Sequence, residues 1–456
     1  MPINKIKCLL PVVGLLLISS ALNFSRTTST LKWELLQYKA LETNEVDAVE
    51  KEVKPTRIED DKALESDDVL KVWKRYKLEH SNGALRKEWQ EGKTKRKFAV
   101  GYYSCPLQAG NRLHHFMNSL IWAVVTNRTL LWKYYDEKTC RVAGRKYPQG
   151  ICRSANSVHD CDALLERAKW LPSLQQWAPR FNLSKPKSLS FWTTHEPSKN
   201  HKFWFHGAEK EAGLADSSSS RFVEFPQMLG QDAWVLHSER KRKILLTSSE
   251  ARHRAELLFR AGADYLYGLL FFDCFAFQPS VSVDVRHGDS KDVTLEELGD
   301  SRGKASVSIV VHSRHPSTQD SGSSIKREKR CLDQILANTS GFCQVMILSD
   351  RPRTLVAVES YLNAHYPHCH ALVAPHQVGT SFSQEHGVFA GAGFYQDLAM
   401  ISNQTLHVPT SITAFAGFKY RSSSELVREL MTFQLHQQAR SRNATPTITT
   451  CYLEEM

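Results

Sequence analysis

The chain reads as an α/β protein in which two β-α-β regions face each other, preceded by an apolar N-terminal segment and a charged spacer. Three observations predict this. First, "KFAVGYYSC" is a short run rich in aromatic and β-branched residues; it leads through "PLQAGN" into a helix-period segment and then into "TLLWKY", which is the order strand, helix, strand. Second, the series repeats further on, where "SVSIVVHSRHPSTQDSG", "KRCLDQIL", "CQVMILSDRPRTL" and "HALVAP" alternate strand-like and helix-like composition. Third, 456 residues with 41% hydrophobic and 23% charged content suffice for two to three globular domains at roughly 150 residues each.

The N-terminus predicts a compartment. Lys5 and Lys7 precede an uncharged apolar run from Cys8 to about Phe24, close to the shortest length that crosses a bilayer. Residues 1–25 fit a type II signal anchor, and Ser19-Ser20-Ala21 also fits a cleaved signal peptide. Either reading puts the body in the lumen, and the anchor implies a single-pass protein of the Golgi or ER membrane. Six Asn-X-Ser/Thr triplets, at Asn23, Asn127, Asn182, Asn338, Asn403 and Asn443, agree. Ten cysteines point the same way; Cys140, Cys152 and Cys161 cluster as disulfide candidates, and no spacing suits structural zinc. Residues 26–97 are rich in Lys, Glu and Asp and poor in sustained apolar periodicity apart from "VLKVWKRYKLEH", and they read as a partly helical stem.

The body divides into an N-terminal Rossmann-like α/β domain over 98–270, a C-terminal one over 271–435 and a tail over 436–456. Its first helix carries Leu113, Phe116, Met117, Leu120, Ile121, Val124 and Val125 at three- and four-residue spacing. It opens on Gly110-Asn111-Arg112. A glycine loop between a first strand and a helix lets backbone approach an anion, and the helix start presents free N–H groups to it. A plain turn would need the same residues. A further helix is expected around 254–272.

Charge narrows the partners. A net charge of +11 favours an acidic partner such as nucleic acid, anionic lipid or a phosphorylated small molecule. The basic runs "KTKRK", "ERKRK" and "KREKR" are scattered and lack interleaved aromatics, which argues against nucleic acid. Asp160-Cys161-Asp162 spells a carboxylate pair of the kind that presents a metal-bound diphosphate when it follows a strand, but it precedes "ALLERAKWL" and is better placed to cap a helix.

The motifs resemble those of α1,6-fucosyltransferases and the related O-fucosyltransferases. "NRLHHFMNSLIWAVVTNRTLLW" is similar to the family's first β-α segment. His312-Ser313-Arg314-His315 resembles its His-x-Arg-Arg motif, Ser349-Asp350-Arg351-Pro352 its Ser/Thr-Asp-Asp-Pro motif, and "FYQDLAMIS" with "RSSSELVREL" its third. The resemblance spans about Phe98 to Leu430 and implies a GT-B fold, two Rossmann-like domains about a cleft. It also implies an inverting fucosyltransferase that moves fucose from GDP-fucose to a glycan or glycoprotein acceptor, with no cofactor and no essential metal.

Residue by residue, the resemblance places Arg314 on the β-phosphate, His312 and Asp397 toward guanosine, and Ser422 or Ser423 on phosphate. Gly110, Asn111, His315 and Asp350 complete the nucleotide-sugar set, and Asp320 is the nearest carboxylate for the catalytic base. The chain departs from the pattern at His315, where the family has Arg, at Arg351, where it has Asp, and in the extra stretch "NQTLHVPTSITAFAGF". These departures support an alternative: a luminal sugar- or nucleotide-binding protein that keeps the fold without turnover. Blander roles compete at single positions: His312 as a satisfied strand-end residue, Asp350 as a helix cap, Asp397 on an exposed helix face. A rival motif, Asp284-Val285-Arg286-His287-Gly288-Asp289, reads as a loop insertion.

Overall fold

The computed structural model describes residues 64–93, 95–102, 109–133, 164–181, 221–224, 236–277, 286–287, 307–313, 325–337, 343–349, 351–373, 394, 397–399, 401, 412–419, 422–441 and 448–453. All belong to one compact unit.

Helices α1 (Leu64–His80) and α2 (Asn82–Gln90) come first. They correct the expected stem. Val69, Trp73 and Tyr76, spaced four and three apart, form a stripe that is buried in the main core, and Leu85 of α2 is buried too. Lys and Glu on the remaining faces conceal that stripe in the composition. The Tyr76 hydroxyl donates to the Arg128 carbonyl at 2.9 Å and accepts from the Leu130 N–H at 3.3 Å, so α1 is fastened to the first β-α-β unit. The spacer can therefore extend no further than residue 63, and residues 26–63 lie outside the described set, as does the apolar segment 1–25. No helix among the described residues is long and apolar enough to cross a membrane.

Strand β1 (Phe98–Tyr102), helix α3 (Ala109–Val125) and strand β2 (Thr129–Lys133) form the unit expected from the sequence. Asn127, at φ 54°, ends α3 by a left-handed turn. Beyond β3 (Leu164–Glu166) and the short α4 (Leu174–Trp177), β4 (Phe222–Glu224) joins the other edge of β1, giving a parallel sheet ordered β2-β1-β4. Then come α5 (Glu239–Leu245), α6 (Ser249–Leu258) and α7 (Ala263–Cys274). The single helix expected at 254–272 is thus two, broken at Gly262, which has φ 93°. Residues Tyr265 to Phe271 of α7 are all buried, and the helix runs through the boundary expected at 270–271. Strand β5 (Phe275–Phe277) pairs antiparallel with β3.

The larger sheet contains β6 (Arg286–His287), β7 (Val307–Ser313), β8 (Cys343–Ser349), β9 (Cys369–Val373), β10 (Ile412–Gly417) and β11 (Ile448–Tyr452). Helix α8 (Lys326–Leu336) joins β7 to β8, α9 (Pro352–His365) joins β8 to β9, and α10 (Ser422–Ser441) joins β10 to β11. The order is β11-β10-β7-β8-β9-β6, and only β6 is antiparallel to its neighbour. Every residue of β7 and β8 is buried, which is why both read as continuous apolar runs rather than alternating ones. Two expectations change here. Arg286-His287 of the rival motif is an edge strand instead of a loop insertion. Residues 448–452 of the expected tail are a sheet strand, paired with β10 along their length.

Helix α10 packs along α7 and against α3, which carries the main core across both sheets. Gly268 makes this crossing possible. A Cβ there would lie 2.4 Å from Phe433 Cβ and 2.5 Å from the Glu429 carbonyl oxygen, closer than real atoms approach, so the two helix backbones meet only over a glycine.

Candidate functional site

A parallel sheet binds ligands where its strand order reverses, just beyond the carboxyl ends of the strands. In the larger sheet the chain proceeds outward from β7 through β8 to β9, then returns to place β10 on the opposite side of β7. The reversal therefore falls between β7 and β10. His312 and Ser313 end β7, and β10 leads into the first turn of α10, which carries Ser422, Ser423 and Ser424. His312 Nδ1 stands 2.8 Å from the Ser424 hydroxyl oxygen, tying strand end to helix start across the reversal. Ser313 donates to Glu328, a fully buried carboxylate of α8.

The smaller sheet reverses in the same way beside β1, flanked by β2 and β4, and beyond β1 lies the start of α3. The two places meet. At Gly110 an added Cβ would lie 3.0 Å from the Ser423 nitrogen, 3.1 Å from the Ser422 carbonyl carbon and 3.2 Å from the Ser422 hydroxyl. Ser422 donates to the Asn111 side-chain carbonyl. Any larger residue would crowd the backbone of α10, so the close approach of the two helices favours glycine and gives a physical reason for α3 to open on Gly110. Two helix N-termini, each with unsatisfied N–H groups and positive dipole character, converge on one strand end.

Gly110, Asn111, His312, Ser422 and Ser423 therefore assemble, with Ser424 added. Asp397 is buried, 5% exposed, in a helical turn whose neighbours Leu398 and Ala399 enter the main core; the exposed face considered for it is not what the structure has. Arg314, His315, Asp320 and Asp350 lie outside the described residues, as do the side chain of Arg112, the carboxylate pair Asp160 and Asp162, and Cys140, Cys152 and Cys161. Among the described residues the disulfides are Cys331–Cys451, from α8 to β11, and Cys343–Cys369, from β8 to β9.

Directly behind the cluster is a buried ionic network that sequence reading did not find. His114 Nδ1 lies 2.8 Å from the Gly110 carbonyl oxygen, and its Nε2 lies 3.1 Å from both carboxylate oxygens of Glu429 on α10. His237, just before α5, approaches Glu429 at 2.9 Å and Asp264 of α7 at 3.7 Å. Arg428 bridges Asp264 at 3.0 Å and Glu425 at 2.6 Å and donates to the Tyr452 hydroxyl. Burial alone would raise the Glu429 carboxyl, but His114 and His237 outweigh it and hold the group near 2. Burial depresses His114, and Glu429 more than reverses this, so the imidazole sits above its ordinary value. Glu425 goes the other way: burial, against the pull of Arg428, pushes it up to about 7. The next residue, His115, is driven down to about 3 by burial alone.

His237, Asp264 and Glu429 bring one nitrogen and two carboxylate oxygens within 4.8 Å of one another, a donor set compatible with a divalent ion. The cations these carboxylates require are already in place, Arg428 on Asp264 and His114 on Glu429, so an ion would face a guanidinium in its own coordination shell.

Only one signal in the sequence pointed to this network. "RSSSELVRELM" sets Glu425 and Glu429 four apart among Leu426, Val427 and Leu430, a carboxylate pattern within an apolar helix. Its partners are distant along the chain: His114 and His237 lie 315 and 192 residues from Glu429, and Asp264 lies 164 from Arg428.

No family model matches the chain, and no curated protein matches it. Among solved structures it is similar to a mutant of Arabidopsis thaliana FUT1 in complex with GDP, with 12% identity over 83% of this chain and 79% of that one and a TM-score of 0.44. It is also similar to the fucosyltransferase NodZ from Bradyrhizobium, with 13% identity over 74% and 92% of the two chains and a TM-score of 0.37. POFUT1 in complex with GDP-fucose matches with 12% identity over 78% and 98% and a TM-score of 0.34.

Proposed function

We propose that the chain is an inverting fucosyltransferase of the secretory pathway, using GDP-fucose to modify a glycan or glycoprotein without an essential metal. The observation that supports this best is the convergence of three motif segments, Gly110-Asn111, His312 and Ser422-Ser423, on the strand reversal where a nucleotide would bind. In this reading the first turns of α3 and α10 cradle the diphosphate with backbone N–H and serine hydroxyl groups. Arg314, two residues beyond His312, neutralises the β-phosphate as GDP leaves, because a guanidinium bridges two phosphate oxygens. Asp397 serves the guanosine, His315 and Asp350 flank the donor, and Asp320 takes the acceptor hydroxyl's proton. The smaller sheet serves the acceptor and the larger one the donor. An N-terminal anchor, with the body luminal in Golgi or ER, accords with the Lys-flanked apolar run and with the two disulfides. The second reading, nucleotide-sugar binding without turnover, is favoured by His315 and Arg351 standing where the resembled motifs carry Arg and Asp.

The test compares kcat/KM for GDP-fucose in wild type, Arg314→Ala, Arg314→Lys and Arg286→Ala. Arg314→Ala is expected to lose about two to three decades, as for removal of one transition-state donor. Lysine should recover part of the loss, since it keeps the charge but not the two-pronged geometry. Arg286→Ala should stay within a few fold. A crippled Arg286→Ala beside a normal Arg314→Ala would show that the donor site lies at β6 and not beyond β7. GDP-fucose binding with no transfer to any acceptor would favour the second reading.

A further inference from the structure

Each ring nitrogen of His114 faces an acceptor. Nδ1 points to the Gly110 carbonyl oxygen and Nε2 to the Glu429 carboxylate. A neutral imidazole donates from one nitrogen only, so a ring held between a carbonyl and an ionised carboxylate is an imidazolium. Both side chains are completely buried. The groups facing Glu429 are His114 from α3, His237 from the segment before α5, and Glu425 and Arg428 on its own helix; Asp264 of α7 and Tyr452 of β11 bear on the same network through Arg428. Arg428 is engaged by Asp264 and Glu425, whereas His114 meets both carboxylate oxygens of Glu429.

Place gives this pair its significance. His114 lies one helical turn beyond Gly110, and Glu429 lies less than two turns beyond Ser424. The pair is therefore a second tie between α3 and α10, next to the contact of Gly110 and Asn111 with Ser422 and Ser423. Buried ion pairs add little stability over an apolar contact of the same shape, and in some proteins they serve to fix geometry instead. We infer that His114 and Glu429 are positioning residues: their buried ion pair holds the opening of α3 on the first turns of α10 and sets the spacing of the phosphate cradle. The inference rests on the nucleotide-site reading above; neither side chain need touch the ligand.

The test uses the whole luminal chain, starting with the wild type. Nitrogen-15 NMR of labelled histidine should show one ring, lost in His114→Gln, with both nitrogens protonated at pH 7.5; a neutral His114 ring overturns the proposal. Glu429→Gln and Glu429→Asp are then compared with Leu336→Ala, a core truncation on α8 in the second hydrophobic cluster. In Glu429→Gln, amide exchange over residues 113–116 should quicken and the GDP dissociation constant rise, each about tenfold, the equivalent of one ordinary hydrogen bond. Glu429→Asp, which keeps the charge, should recover part of both. Leu336→Ala should lower the melting temperature without either change. Unaltered α3 exchange in Glu429→Gln, or equal changes in Leu336→Ala, would overturn the pair's positioning role. If wild type binds no GDP, the nucleotide reading fails by itself, and the NMR and exchange results still decide for or against the pair.

Discussion

Glu425 and Glu429 occupy successive turns of α10 and titrate in opposite directions. Glu429 is held near 2, below its ordinary 4.5, so its contribution to stability is complete above about 4.5 and is lost as pH falls toward 2. Glu425 is raised to about 7, so its contribution is complete below about 4.5 and is lost as pH rises through 7. Between pH 5 and 8 the protein thus loses stability at Glu425. Removing that titration should remove the loss. Glu425→Gln is expected to gain on wild type by about 2 kcal/mol between pH 5 and pH 8, from a shift of 1.36 kcal/mol per unit discounted for partial solvation. Denaturant midpoints at the two pH values measure it, and a difference that does not change with pH would sink the assignment. At this scale the sequence was legible where a motif carried the residue: Gly110, Asn111, His312, Ser422 and Ser423 were readable from their motifs. His114 and Glu429 were not, because nothing local marks a buried pair whose members are 315 residues apart.

Elements were legible where one rule decided them. The long apolar runs of β7 and β8 and the strand-helix-strand order around α3 follow from periodicity and needed no tertiary information. Helix α1 was legible as a helix from the periodicity of "VLKVWKRYKLEH", but its place in the body was not. A narrow apolar stripe within a charged segment has the composition of a spacer, and only the partner surface shows that the stripe is used. Trp73 settles whether α1 belongs to the body. It is 2% exposed and makes an edge contact with Trp170 at 5.6 Å between ring centroids. Truncating a buried tryptophan typically costs 3–5 kcal/mol, about what its area and the cavity left behind predict. Trp73→Ala should therefore lose about 4 kcal/mol in equilibrium unfolding, whereas Leu78→Ala, at an exposed position of the same helix, should stay within about 0.5 kcal/mol. A spacer would show no difference between them. Strand β11 escaped for a related reason: five residues after a long helix look like a tail until β10 offers an unpaired edge.

For the molecule as a whole, the two disulfides among the described residues bear on the compartment in which it folds. Cys331–Cys451 closes 120 residues and Cys343–Cys369 closes 26. The longer loop begins on α8 and ends on β11, so it encloses β8, β9, β10 and the whole of α10, whose first turn is part of the candidate site. If a cross-link acts by limiting the unfolded chain, the longer loop contributes about 5 kcal/mol and the shorter about 3.5 kcal/mol. Their sum is comparable with the entire stability of an ordinary domain, 5–15 kcal/mol. Neither bond was foreseen, since pairing is a matter of neighbouring strands and helices and not of spacing along the chain. The consequence is that the body should fold only in an oxidising compartment, which is the luminal placement proposed from the N-terminus. Cys331→Ser with Cys451→Ser should lower stability by more than Cys343→Ser with Cys369→Ser, the gap being about 1.5 kcal/mol in chemical unfolding at matched slope. Expression of the wild-type body in a reducing cytosol should yield mostly aggregated chain, and expression into an oxidising lumen should yield soluble protein. Equal folded yields in the two compartments, together with unfolding midpoints unaffected by reductant, would show that the cross-links are dispensable and would remove the disulfides as support for a luminal body.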